Sequence, residues 1–248
     1  SGSVELDLNG CVLRYENTQA YGSVIKVLES GNLIIKDSNP AAVHKFKPND
    51  DGPWVLDEAN GTETVSGGII TGGTGTRAGD GYRAFGGGVY VSCGGKLTME
   101  GGNIVGCKVV RDKGSAVGGI VGCASADCGG GVFVEPMCEF VMNFGSEIRA
   151  CVAPNGGGVY GESYISSSGK KTGKLTLNGG KILSCKAARS TPGTGRGGGV
   201  YNTGQFTMNS GGIENCTSYD GVSGGVWNSG EFIKNGGTID GNVAGGGT

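Results

Sequence analysis

GGGVYNTGQFTMNSGGIENC, residues 197–216, sets three short apolar runs one after another. Gly199-Val-Tyr-Asn202, Gln205-Phe-Thr-Met-Asn209 and Gly212-Ile-Glu-Asn-Cys216 are bounded by Gly, Asn or Ser and alternate apolar with polar side chains. That alternation is the pattern of a strand, whose successive side chains leave on opposite faces. Glycine interrupts the unit too often for a helix, since each one costs about 1 kcal/mol relative to alanine in a helix interior.

The same unit recurs along the chain. Its opening phrase appears as Gly86-Gly-Gly-Val-Tyr90, Gly129-Gly-Gly-Val-Phe133, Gly156-Gly-Gly-Val-Tyr160, Gly197-Gly-Gly-Val-Tyr201 and Ser223-Gly-Gly-Val-Trp227. A middle phrase follows at Leu97-Thr-Met99, Phe140-Val-Met142, Leu175-Thr-Leu177, Phe206-Thr-Met208 and Phe232-Ile-Lys234. The closing phrase pairs Ile104 with Cys107, Ile148 with Cys151, Ile182 with Cys185, Ile213 with Cys216 and Ile239 with Asn242. Self-similarity at this period means stacked repeats. Three strands per turn of chain predict an all-β parallel β-helix of about six or seven coils, without hairpins between the strands. Each strand should pair with its counterpart one coil on, about 4.8 Å away. Val89, Val132, Val159, Val200 and Val226 then form one inward column, and Ile104, Ile148, Ile182, Ile213 and Ile239 another.

The chain reads as a single β-helix domain over residues 1–248. Residues 1–72 are degenerate coils interrupted by an insertion at 37–63, and residues 73–248 carry the regular repeats. Ser1-Gly2 reads as a cloning remnant, and no cap closes the last repeat, so a segment of a larger protein is expected.

Composition narrows the function classes. Of 248 residues 55 are glycine, without the strict three-residue period of collagen. The net charge of −2 argues against a nucleic-acid binder, which needs a basic surface. No apolar stretch is long enough for a transmembrane helix.

Nine cysteines include four at one offset, three residues after the repeat isoleucine. Stacked side chains point the same way rather than converging, and no Cys-x-x-Cys pair or partner histidine accompanies them. They read as a buried column of thiols, with no metal site and no cofactor. Cys123 and Cys128 are the expected disulfide, while Cys11, Cys93 and Cys138 have no assigned role.

Gly-Gly-aliphatic followed by Phe-x-x-Asn stands at Phe140-Val-Met-Asn143, Phe206-Thr-Met-Asn209 and Phe232-Ile-Lys-Asn235. In these phrases the chain resembles the glycine-rich repeats of polymorphic outer-membrane proteins, autotransporter adhesin passengers and other large bacterial surface proteins. The likeness is good from about residue 64 onward and looser before it. It implies a right-handed β-helix, export to the bacterial cell surface or beyond, and a role in attachment. Leu97 and Leu175 depart from the phenylalanine of the phrase, and no β-barrel translocator is present.

Function should reside in the loops. The insertions from Gly73 to Phe85, Lys108 to Cys128 and Lys186 to Arg196 all fall between the third strand of one coil and the first of the next. Together they carry Arg77, Arg83, Lys108, Arg111, Lys113, Lys186, Arg189 and Arg196 against Asp80, Asp112 and Asp127. A basic edge of this kind can grip carboxylates or sulfates in bidentate fashion. Arg77, Tyr82, Arg83, Arg111, Lys113, Arg189 and Arg196 are therefore candidate ligand contacts, with Tyr82 and Phe85 as stacking faces for sugar rings. Trp54, within the acid-rich insertion that also holds His44, Asp50, Asp51, Asp57 and Glu58, is a second sugar platform, and those acids are a potential calcium cluster. The expected partner is an anionic host or dietary glycan, or a host surface protein. No catalytic residue is assigned, because Glu100, Glu147 and Glu214 are scattered one per coil whereas glycoside hydrolysis needs two carboxyls at a set separation. The reading is a non-catalytic adhesion or glycan-binding segment. A polysaccharide lyase or glycoside hydrolase of pectin-lyase-like fold is the alternative, and a structural spacer is the third.

Overall fold

A computed structural model describes residues 2–16, 21–50, 52–77, 83–109, 127–188, 195–219 and 222–245. Every described element is a β-strand. The three phrases of the repeat form three sheets of 6, 7 and 7 strands, all of them parallel within each sheet. Pairing is in register from one repeat to the next, as the arrangement requires for a parallel β-helix. Val89 faces Val132, which faces Val159, then Val200 and Val226. Ile104, Ile148, Ile182, Ile213 and Ile239 line up in the same manner.

The degenerate N-terminal region joins the same sheets. Ser3–Asp7 pairs with Asn32–Lys36, which pairs with Lys96–Met99. Val12–Arg14 pairs with Ile69–Thr71, and Ile25–Val27 with Val89–Val91. The three inward faces meet in one core that runs the length of the stack and includes Val132, Leu97, Met142 and Ile148. Each large side chain fully buried here contributes about 1.5–3 kcal/mol.

The triple glycine has a separate reason at each position. Gly86, Gly129, Gly156 and Gly197 take φ between +58° and +69°, a region that other residues enter at a cost. A Cβ on the third glycine would meet the isoleucine column. At Gly158 it would sit 2.7 Å from Ile182 Cγ2, and at Gly199 2.5 Å from Ile213 Cγ2. The backbone of the opening phrase thus lies directly against the closing strand, and no side chain fits between them.

Three features differ from the sequence reading. First, a coil has a fourth short strand. Val152–Ala153, Lys186–Ala187, Thr217–Ser218 and Val243–Ala244 form a further parallel sheet just after the cysteine, where only loop was expected. Second, antiparallel hairpins do occur, each as an excursion from the stack. Ser163–Ser166 pairs with Gly169–Thr172 between a first and a second strand, and Thr76–Arg77 pairs with Ala84–Phe85. Third, the insertion expected at 37–63 is a three-stranded antiparallel sheet of Val43–Lys47, Val55–Leu56 and Glu63–Ser66, so it runs to Ser66. Its pattern hides in the sequence because only Phe46 and Val65 of its two longer strands turn fully inward.

The thiol column is present as expected. Cys107, Cys151, Cys185 and Cys216 are unbridged and fully buried. Burial and the neighbouring thiols push the Cys151 thiol well above its ordinary value. These residues are more than filler. The thiols of Cys151, Cys185 and Cys216 lie 3.6 to 3.7 Å from the carbonyls of Ile104, Ile148 and Ile182 one rung back and 3.4 Å from those of Arg149, Leu183 and Glu214 in their own strands, so each proton has a carbonyl acceptor. Asn242 does the same with its amide, 2.8 Å from Ile213 O. The expected Cys123–Cys128 disulfide involves Cys123, which lies outside the described residues.

Candidate ligand-binding groove

The inserted sheet docks on the stack through Phe46 and Val65, which pack with Ile69 and Val105, and Trp54 lies against them 6.5 Å from the Phe46 ring. His44 pins the other side, its Nδ1 2.7 Å from Glu58 Oε1 and its Nε2 2.8 Å from Gly10 O. Trp54 N–H donates to Ala150 O at 3.4 Å, and a Cβ on Gly106 would collide with Trp54 O. The bare glycine on the neighbouring rung is what lets the tryptophan segment sit so close.

Between this segment and the fourth sheet lies a groove of about 610 Å³. Trp54 and Tyr219 line it, with Asn49, Asn215, Thr217 and Lys186 supplying polar groups. Lys186 Nζ donates to Asp50 O at 2.9 Å and ties the loop to the strand column across the groove. Asp50 and Lys186 are the charged side chains among the described lining residues, so the lining is formally neutral.

Ser218 adds a telling group. Its equivalents in the fourth sheet are Ala153, Ala187 and Ala244. Ser218 instead carries a hydroxyl that is buried and has no hydrogen-bond partner. An unpaired buried hydroxyl costs about 1–3 kcal/mol. The signal was present in the sequence as a polar residue in an alanine column, but the column itself was not recognised.

The other candidate contacts lie along another edge of the stack: Arg77 pairs with Ala84 beside Arg83, and Arg196 stands in one column with Phe85, Cys128 and Asn155. Arg77 lies 3.8 Å from the Tyr21 ring centroid, Arg83 5.7 Å from that of Phe85 and Arg196 5.7 Å from that of Trp227. Each guanidinium thus rests on an aromatic face of the protein itself. Tyr82, Arg111, Lys113 and Arg189 lie outside the described residues. Phe85 is no sugar platform. It is buried in a stack of rings that continues through Phe133, Tyr160, Tyr201 and Trp227, with consecutive centroids 4.1 to 5.3 Å apart.

Asp51 lies outside the described residues, and the other acids of the insertion form no metal-binding group. Asp57 accepts from Asn60 N at 2.9 Å within its own turn, and Glu58 holds His44. No group of three or more His, Cys, Asp or Glu poised for a metal occurs among the described residues. On the closing sheet, Glu147 pairs with Arg149 at 3.4 Å and Glu214 with Lys181 at 3.3 Å, so those carboxylates are matched by cations rather than by each other.

One carboxylate pair escaped the sequence reading. Glu135 and Glu162 follow the opening strands Val132–Val134 and Val159–Gly161 at the same offset, on adjacent rungs. The phenol of Tyr90 donates to Glu135 Oε1, and Cys93 N–H donates to Glu135 Oε2 at 3.3 Å. Burial and the adjacent carboxylate push the Tyr90 phenol far above its ordinary value.

No family model, curated protein or solved structure matches the chain. No helix among the described residues is long and apolar enough to cross a membrane.

Proposed function

We propose that the chain is a right-handed parallel β-helix from an exported bacterial surface protein, and that it acts in adhesion by binding a short glycan in the groove between the inserted sheet and the fourth strand column. The observation that carries this reading is the groove itself, lined by Trp54 and Tyr219, by Asn49 and Asn215 and by Thr217. An aromatic face such as that of Tyr219 covers the apolar side of a sugar ring while the polar groups pair with its hydroxyls, and a groove of this volume lies within the range of small-molecule sites. Its formal neutrality favours an uncharged oligosaccharide over the polyanion suggested by the loop arginines. The absence of a second carboxylate among the described lining residues favours binding over glycoside hydrolysis.

The test is direct binding to an array of neutral and acidic oligosaccharides, followed by titration calorimetry on the best ligand. Tyr219→Ala and Trp54→Ala should each weaken binding at least tenfold, and the affinity should be nearly independent of salt. Failure to bind any glycan, or unchanged affinity in both variants, would refute the glycan reading. A steep salt dependence would return the site to the arginine-bearing loops.

A further inference from the structure

The groove between the inserted sheet and the fourth strand column has two unlike ends. At one of them the Trp54 segment lies directly on the stack: its N–H reaches Ala150 O at 3.4 Å, and its carbonyl oxygen occupies the space that a Cβ on Gly106 would fill. Ala150 is buried there, and no residue of the Gly106 rung is among the described lining residues. The tryptophan ring braces this wall between the Phe46 ring, 6.5 Å away, and the Arg149 guanidinium, 5.6 Å from its centroid. Arg149 Nη1 in turn donates to Thr64 O of the inserted sheet at 3.4 Å. One rung on, Lys186 Nζ crosses to Asp50 O at 2.9 Å.

In the other direction the lining climbs the stack. Ser184 and Asn215 take the place of Ala150 on the next two rungs, and both are exposed where Ala150 is buried. Lys186 is followed in its column by Thr217 and then by Val243, which is 56% exposed. The groove is therefore blind at Trp54 and open at Val243.

We infer that this groove takes the terminus of a linear, uncharged oligosaccharide, with the end sugar against the Trp54 wall and the following sugars laid along the stack axis towards Val243. The inference rests on the glycan reading above and narrows it to a chain end. A wall of backbone packed on backbone leaves no passage for a chain that continues past it. An end sugar also carries one hydroxyl that an internal sugar has spent on a linkage, and the Lys186 ammonium beside the wall has three N–H donors, one of which goes to Asp50 O. From the Ala150 rung to the Val243 rung is about 14 Å at the spacing of parallel strands, room for about three sugars in an extended chain.

The test is titration of the protein with uncharged gluco- and chito-oligosaccharides of two to six units. Each is used unmodified, tagged at its reducing end with a bulky aminopyridine, and capped at its non-reducing end with a benzylidene group. Affinity should rise up to three units and then stay level within about twofold. One of the two blocks should weaken binding at least tenfold and the other should change it less than twofold. Tyr219→Ala should weaken every oligomer while keeping the preference for the same end, with circular dichroism confirming the fold. Equal affinity whichever end is blocked, or affinity still rising beyond four units, would show a chain passing through and overturn the blind groove while leaving glycan binding intact. Loss of binding with either block would overturn it too, since the Val243 end would then be closed. Binding untouched by Tyr219→Ala would place the ligand elsewhere, and an absence of binding by every oligosaccharide would remove the glycan reading and this inference together.

Discussion

The residue just before each cysteine of the column, and before Asn242, is bent into the left-handed region: Gly106, Ala150, Ser184, Asn215 and Gly241 take φ between +51° and +64°. This bend turns the chain from the closing strand into the fourth and points the next side chain inward. For Ala150 and Ser184 the bend is strained, because a Cβ disfavours it by about 1–2 kcal/mol. Ser184→Gly should therefore raise stability by about 1 kcal/mol, read as a higher denaturant midpoint with unchanged slope. The opposite change at Gly106 should evict Trp54 and abolish glycan binding while the β-sheet spectrum persists. The thiols that follow the bend were legible as a column from their common offset, but not their hydrogen bonds to the carbonyls one rung back. Asn242 was the clue, since an amide and a thiol share little except a donor. Cys185→Ala should accordingly cost about 1–2 kcal/mol, more than a lost methyl would suggest, whereas Cys185→Asn should retain most of the stability. In the folded protein Cys11 and Cys93 should react with a thiol reagent within minutes, and Cys107, Cys151, Cys185 and Cys216 only after denaturation.

At the scale of the element, the glycine phrase is where sequence and structure agree most closely. Its three positions answer to a backbone sign, a neighbouring backbone and the isoleucine column, and such a demand leaves an unmistakable run of one residue type. Gly158→Ala should lower stability by about 1–3 kcal/mol or more, because the Ile182 column and the Gly199 carbonyl both stand within 2.7 Å of the added methyl. The fourth strand was invisible for the converse reason. Val152–Ala153, Lys186–Ala187 and Thr217–Ser218 are two residues long and share no residue type at the outward position, so no periodicity can build up. The groove therefore went unseen, since half of its wall is that strand column and the other half is a small antiparallel sheet more than 130 residues earlier in the chain. Trp54 could be flagged from its own chemistry, but Tyr219 acquires meaning only when it is brought into the same groove. Glu135 and Glu162 stand outside all three repeat phrases, so no periodicity paired them.

For the whole molecule, each rung touches only its neighbours, so stability is close to a sum of rung and interface terms. Removing residues 197–222 excises one complete 26-residue repeat and sets the Ser223 phrase against the Gly156 phrase, with Val226 facing Val159. The shortened chain should keep its β-sheet spectrum and melt at a lower temperature, yet bind no glycan, because Asn215, Thr217, Ser218 and Tyr219 leave with the excised rung. The Lys186–Asp50 tether spans from the inserted sheet to a strand far along the stack, and it makes the inserted sheet a clamp across several rungs. A molecule that would otherwise tolerate the gain or loss of units anywhere thus has one stretch of fixed length. Repeats could be added beyond the rung that carries Val243 with little effect on recognition, but any change in number between the clamp and its anchor would move the two halves of the binding wall apart by about 4.8 Å per unit.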